Sequence, residues 1–390
     1  MIELLAPAGD LEKLKIAYIY GADAVFIGGT LFSLRSRASN FTIEEIEEAA
    51  VFAHSMGKKL YVTANIIPHE EDMIGLIEYL KQLEKIKVDA IIAASPYIID
   101  AALNNTNLEV HLSTQQSTIN SHAIEFWKSR GVKRIVLGRE LTLDEMDILR
   151  KKVNLDIECF IHGGMCMSYS GRCALSNNLT DRDANRGGCA HSCRWNYRIN
   201  GLESPCNFSL SSKDLMAVNE VPRLIDMGIN SLKIEGRMKS LHYIATVVKV
   251  YRMIIDEYNE KGVLSNSSEY IKEILKAENR LTYSGYFNGV PNNEGGLYNQ
   301  RSERPTQSFI GIVKRYDNEK QEVLVEQRNY FSRCDKIEFF SPRGENIEFT
   351  LGDIFDEDGT EIDAARHPRQ IIKFHLPFKV LEYTFVRKVT

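Results

Sequence analysis

Short runs of β-branched and apolar residues alternate with amphipathic stretches over the first 260 residues of the chain. Eight runs read as strands: ELLA 3–6, AVFIG 24–28, LYVTAN 60–65, AIIAA 90–94, VHLS 110–113, RIVLG 134–138, IECFI 157–161 and SLKIE 231–235. Between the first seven lie stretches of helical period. TIEEIEEAAVFAHSMG (42–57) places Ile43, Ile46, Ala50 and Ala53 on one face. It opens with Thr42 three residues before Glu45, the spacing of a capping box, and stops at Gly57. LTLDEMDIL repeats the device with Thr142 and Glu145, and GDLEKL (9–14) reads as a helix start rather than a phosphate loop. Eight β-then-α units predict an α/β protein with a (β/α)8 TIM-type barrel over residues 1–260. A doubly wound open sheet is the alternative, because periodicity carries no information on closure.

One unit departs from the pattern. After the seventh strand a Cys-rich insertion occupies residues 162–207, and helical period resumes in SSKDLMAVNEVPRLIDMG (211–228). In a barrel, a connection leaving the C-terminal end of a strand lies on the face where sites are built. The helix LHYIATVVKVYRMIIDEYNE (241–260) then closes the barrel, and residues 261–308 read as a helical or irregular connector. From Phe309 to Thr390 short alternating strands (FIGIVKRY, QEVLVEQ, DKIEFFS, NIEFTLG, QIIKFHL, EYTFVRK) predict a C-terminal all-β domain, a small barrel. Its mixed charges do not decide between an extended binding surface and a cover for the barrel's side.

Composition narrows the partners. A net charge of −5 and a pI of about 6.1 exclude a wholly basic surface. Residues 166–198 nevertheless carry five arginines (172, 182, 186, 194 and 198) against two aspartates, a local charge of +3. The start, Met1-Ile2-Glu3, shows no basic leader, and the longest apolar candidate, residues 90–103, is interrupted by Ser95, Pro96 and Asp100. The expectation is a cytoplasmic protein with no membrane or DNA partner, in which thiols stay reduced.

Seven cysteines then demand an explanation, and four of them, Cys166, Cys173, Cys189 and Cys193, fall in the insertion, with Cys206 beyond. The spacings are C-x6-C, fifteen residues, and C-x3-C. Four thiolates hold a tetrahedral zinc or a [4Fe–4S] cluster. Zinc sites favour two tight knuckles, of which only 189/193 is one, so the open spacing favours the larger cluster. A single activated thiol would need a base beside it. Cys159 and Cys334 read as buried small apolar residues.

At these residues the chain resembles the collagenase-like peptidases of unknown catalytic type. The likeness is carried by ECFIHGGMCMSYSGRCALSN (158–177), ELLAPAGDLEKLKIAYIYGADAVFIGG (3–29), FTIEEIEEAA, HLSTQQSTIN (111–120), RDANRGGCAHSCRW (182–195), SLKIEGRMKS (231–240) and, in the β domain, VEQRNYFSRCDKIEFFSP (325–342). It covers essentially the whole chain and is nearest to the family's tRNA uridine 5-hydroxylation branch. The resemblance implies oxygen-independent, prephenate-dependent conversion of the tRNA wobble uridine to 5-hydroxyuridine. It also implies a [4Fe–4S] cluster on Cys166, Cys173, Cys189 and Cys193, with Cys206 as the alternative fourth ligand, and tRNA, prephenate and a family-related protein as partners.

The family's name implies proteolysis instead, and a non-catalytic RNA-binding subunit is a further alternative. Neither G-x-S-x-G nor H-E-x-x-H occurs. His162 and Glu235 are the candidate catalytic groups, although a histidine ending a strand is as readily a turn's hydrogen-bond partner. For substrate binding the strand ends offer Asn65, Gln115, Arg139, Lys233 and Arg237 toward a dicarboxylate, and Arg35 and Arg37 toward phosphate. Arg172, Arg182, Arg186 and Arg194 could grip phosphate as well, with Tyr169 and Tyr197 interleaved as stacking platforms. Trp195 is expected to pack the insertion against the barrel.

Overall fold

The computed structural model describes residues 2–34, 40–198, 207–297 and 309–389. Seven parallel strands follow one another in space in chain order: β1 (Glu3–Pro7), β2 (Ala24–Gly28), β3 (Lys59–Ala64), β4 (Ala90–Ala93), β5 (Glu109–Leu112), β6 (Arg134–Val136) and β7 (Asp156–Gly163). The eighth, Ser231–Ile234, pairs in parallel with β1 on one side, Leu4 opposite Leu232, and with β7 on the other, Leu232 opposite Cys159. The sheet is therefore closed, and the open-sheet alternative falls.

The expected capping boxes form. Thr42 and Glu45 cap α2 (Ile43–Ser55), Thr142 and Glu145 cap the helix Leu143–Arg150, and the Asp10 side chain accepts from the N–H of Lys13 at the start of Leu11–Ile19. In α2 the buried stripe is Ile46, Ala49, Ala50 and Ala53. Alternate strand residues Leu5, Ala24, Phe26, Tyr61, Ala90 and Ile92 pack together as an apolar layer.

Below and beside that layer runs a buried ionic ladder. Arg134 reaches Glu3 at 2.6 Å and Glu158 at 3.4 Å, while Lys233 Nζ donates to Glu158 at 2.7 Å. Tyr61 and Ser231 donate to Glu3 at 2.7 and 2.8 Å. Burial alone would push the Glu158 carboxyl up, but Lys233 and Arg134 outweigh it and hold Glu158 ionised.

The stretch expected to form a helix over 211–228 does so only at Val221–Asp226, with Pro222 in its first turn. Before it, Asp214–Met216 is a strand, antiparallel to the end of β7. Asp214 is fully buried between Arg280 at 2.7 Å and Lys239 at 3.1 Å, and those charges fix the segment as a strand. Thr282–Tyr283 pairs with this strand in turn, so residues 280–297 belong to the barrel unit rather than to a connector.

The C-terminal unit is an all-β domain whose principal sheet is antiparallel throughout and has eight strands. Val323, Val325, Ile337, Phe339, Phe374 and Val386 lie in its core. Cys334 is exposed there, at a backbone φ of +65°, and is not the buried apolar residue expected.

Candidate functional site

Asn65, Gln115, Arg139 and Arg237 follow the C-terminal ends of their strands, so the barrel's topology places them on one face, whereas Lys233 lies within its strand. There Asn65 Nδ2 donates to Gln115 Oε1 at 3.1 Å, and Gln115 Nε2 donates back to the Asn65 carbonyl at 2.9 Å. Arg237, 3% exposed, donates to Ser33 at 3.0 Å and to Asn40 at 2.8 Å. Gly28 makes this possible, since a Cβ there would lie 1.9 Å from Arg237 Nη1. Lys233 stands apart from this group, deeper in the barrel, with its ammonium on Glu158 and 4.5 Å from the Phe26 ring centroid. Arg35, Arg37 and Cys206 lie outside the described residues.

The insertion begins at Gly163, whose φ of +100° and close approach exclude a side chain: a Cβ would lie 2.1 Å from the Glu235 carbonyl oxygen. His162, just before it, is 1% exposed and turned toward the long helix Leu241–Lys261, its Nδ1 3.2 Å from Tyr251 Oη and its ring against Tyr243. Glu235 is half-buried, and its backbone carbonyl accepts from Tyr243 Oη at 3.0 Å.

Beyond Gly163 the chain makes short turns, each held by a partner elsewhere. Arg139 Nη1 donates to the Gly164 carbonyl at 2.5 Å, and its guanidinium lies 3.7 Å from the Phe160 ring centroid. Glu140 accepts the Ser170 N–H at 2.5 Å and the Ser170 hydroxyl at 3.1 Å. Asn185 donates to the Cys173 carbonyl at 3.1 Å, and the Asn185 carbonyl accepts the Ile67 N–H at 3.0 Å. Ser176 Oγ accepts the Ala190 N–H at 3.0 Å, joining the helix Leu175–Thr180 to the turn between Cys189 and Cys193. Arg186 is committed to acids: it chelates Asp72 at 2.7 and 2.8 Å and reaches Glu71 at 2.9 Å. That ion pair, not phosphate, accounts for Arg186, and its hydrogen bonds hold Asp72 below the usual carboxylate range. Glu140, Asp72 and Asn185 were missed by sequence reasoning because no motif marks an acid or amide whose partner lies in another loop.

The four cysteines of the insertion form no disulfide, and Cys193 lies within electrostatic reach of the other three. Partial desolvation pushes Cys166 up; the Ser168 N–H and Arg139 pull it down, while Cys173 and Cys189 push it further up. Cys193 is raised by desolvation first and then by Cys166, with Cys189 and Cys173 adding and Arg194 opposing. Cys173 Sγ also accepts the Leu175 N–H at 3.3 Å. Among the described residues, no three His, Cys, Asp or Glu side chains close around the point a single ion would occupy. Cys159 is no part of the set: it is buried in β7, beside a small cavity walled by Met146, Phe160, Leu215, Phe287 and Arg139.

Around the thiols the surface is apolar and cationic. Tyr169 is 52% and Trp195 42% exposed, so Trp195 does not pack away against the barrel as expected. Met167 and Leu179 of the same insertion are exposed as well. Arg172 is exposed, and its guanidinium makes no hydrogen bond or ion pair among the described residues. Tyr197 is tied down, its hydroxyl donating to the Ser192 carbonyl at 2.8 Å. No helix among the described residues is long and apolar enough to cross a membrane.

Comparison with known proteins agrees with this architecture. Residues 9–296 match Peptidase family U32, and residues 305–387 match the Peptidase family U32 C-terminal domain. The tRNA hydroxylation protein P1 of Bacillus subtilis (strain 168) is 50% identical over 99% of this chain and 94% of its own length. The 23S rRNA 5-hydroxycytidine C2501 synthase of Escherichia coli (strain K12) is 37% identical, over 68% of this chain and 41% of its own. The Collagenase of Porphyromonas gingivalis (strain ATCC BAA-308 / W83) is 32% identical, over 74% and 73% respectively. With both its barrel and its β domain matched, the chain belongs to peptidase family U32.

Proposed function

We propose that the protein is a tRNA-modifying hydroxylase that converts wobble uridine to 5-hydroxyuridine without oxygen, using prephenate as co-substrate and a [4Fe–4S] cluster on Cys166, Cys173, Cys189 and Cys193. The observation that carries the reading is that four cysteines free of disulfides share the insertion after β7, which also exposes Tyr169, Trp195 and Arg172. A single zinc draws its thiolates to about 2.3 Å of one point. Four cysteines in an open C-x6-C and C-x3-C pattern suit a four-iron cluster better. The N–H groups of Ser168 and Leu175 on the sulfurs, and Arg139 and Arg194 beside them, would offset the negative charge of a loaded site. A cluster held by these cysteines would supply electron-transfer chemistry.

The relatives named for hydroxylation of tRNA and rRNA support the reaction class, and the first of them spans both domains of this chain. The relative named Collagenase keeps proteolysis as the second reading. Against it stands His162, the histidine offered as a base, which is buried among tyrosines.

The test is anaerobic purification with iron and sulfide analysis, followed by nucleoside analysis of tRNA incubated with the protein and prephenate. About four irons per chain, lost in Cys173→Ala, together with formation of 5-hydroxyuridine, is the expected result. One zinc, or gelatin cleavage that survives iron removal, would overturn it.

A further inference from the structure

We infer that Glu140 is a positioning residue for the thiol site, the charged half of a two-residue clasp that sets the geometry of the Cys166–Cys173 turn. The inference rests on the reading of the four cysteines as cluster ligands.

Arg139 and Glu140 lie just beyond β6, after Leu137 and Gly138, and grip the same loop on either side of Cys166. Arg139 takes the carbonyl of Gly164, two residues before Cys166. Glu140 takes Ser170, midway between Cys166 and Cys173, and does so with both carboxylate oxygens. Charge-assisted bonds of this kind are shorter and about twice as strong as neutral ones. Ser170 is 3% exposed and sits at φ +50°, a left-handed conformation that a non-glycine residue adopts only when its surroundings hold it. The carboxylate is what holds it. Ahead of the pair, Gly138 leaves room for the contact: a Cβ there would lie 3.1 Å from Glu140 Oε2 and 3.3 Å from Ser170 Oγ. A turn held at its apex presents its two flanking sulfurs at a fixed separation, which a rigid inorganic core requires. Glu140 bonds to Ser170 rather than to a thiol, so its effect passes through Ser170.

The experiment uses the full chain, reconstituted anaerobically with iron and sulfide. Iron release to a chelator and the electron paramagnetic resonance spectrum of the reduced protein are compared for wild type, Glu140→Gln, Ser170→Ala and the double variant. Glutamine keeps the shape but offers one acceptor oxygen in place of two. Release about tenfold faster in Glu140→Gln, with a shifted spectrum, is expected. The double variant should add little beyond the single ones, the mark of two residues acting as one contact. Thermal melts of the metal-free proteins separate this effect from general unfolding. Normal loading in wild type with unchanged release and spectrum in Glu140→Gln would overturn the clasp alone. Wild type that takes up no iron and sulfide would overturn the cluster reading and the clasp with it.

Discussion

Arg186 and Asp72 meet through two parallel N–H···O bonds, Nε to Oδ2 at 2.7 Å and Nη2 to Oδ1 at 2.8 Å, across 114 residues of chain. The pair pins the Cys-rich insertion to the loop after β3, beside the Ile67–Asn185 backbone bond. Because Asp72 is held below its usual range, its contribution is complete above the unfolded value of about 3.9 and is lost as pH falls through the lower folded value. Hydrogen exchange of the Ile67 amide should therefore stay slow down to about pH 4 and quicken below it. Arg186→Ala should remove that dependence and cost about 1 kcal/mol locally, as befits a partly exposed pair.

The ladder inside the barrel makes a sharper prediction. Lys233→Met leaves the fully buried Glu158 with Arg134 alone, and breaking a buried pair from one side costs about 3 kcal/mol. Adding Glu158→Gln removes the stranded charge and should return about half of that loss. Urea denaturation of the single and double variants measures both.

His111 is fully buried against the Tyr61 ring, and burial pushes its pKa below the ordinary 6.5 despite the nearby Glu109. A depressed histidine means that the unfolded chain binds the proton first. Stability should then be complete above about pH 6.5 and fall as pH drops below it. His111→Gln should flatten this part of the stability–pH curve, as followed by urea melts from pH 7.5 to 5.5.

Gly163→Ala would place a methyl group against the Glu235 carbonyl at a φ of +100°. The expected cost is about 3 kcal/mol, read as a lower melting temperature of the metal-free protein. Both residues directly follow the paired positions His162 and Ile234, which limits how far the backbone can move to accommodate the methyl group.

If RNA lies on the thiol face, Arg172→Ala should weaken tRNA binding and reduce the slope of log K against log salt by about one. Tyr169→Ala should weaken binding with the salt slope unchanged, as loss of a stacking surface does. Filter binding over a salt series distinguishes the two.

The barrel was legible because its evidence is local: periods of two and 3.6, capping boxes at Thr42 and Thr142, and turn glycines. Closure was not, since Ser231 and Glu3 meet across 228 residues and no periodicity encodes that pairing. The strand Asp214–Met216 hid inside a helical pattern because three residues are too few to set a period, and the cations that fix it, Lys239 and Arg280, lie far along the chain. That four cysteines share one insertion was legible in the sequence. Its supports at Asp72, Glu140 and Asn185 were not, because each side chain is ordinary until the fold supplies its partner. Arginines misled for the same reason: Arg186 and Arg172 look alike in sequence, and only one has acids waiting for it.

The four thiols ride on one connection, residues 166–193, while the groups that restrain it, Asp72 and Glu140, belong to loops of other barrel strands. Loading and folding are consequently linked equilibria. Whatever binds the native thiols draws the barrel toward its folded state by mass action. By reciprocity, a substitution on the far side of the barrel that loosens either loop lowers occupancy at the sulfurs without touching them.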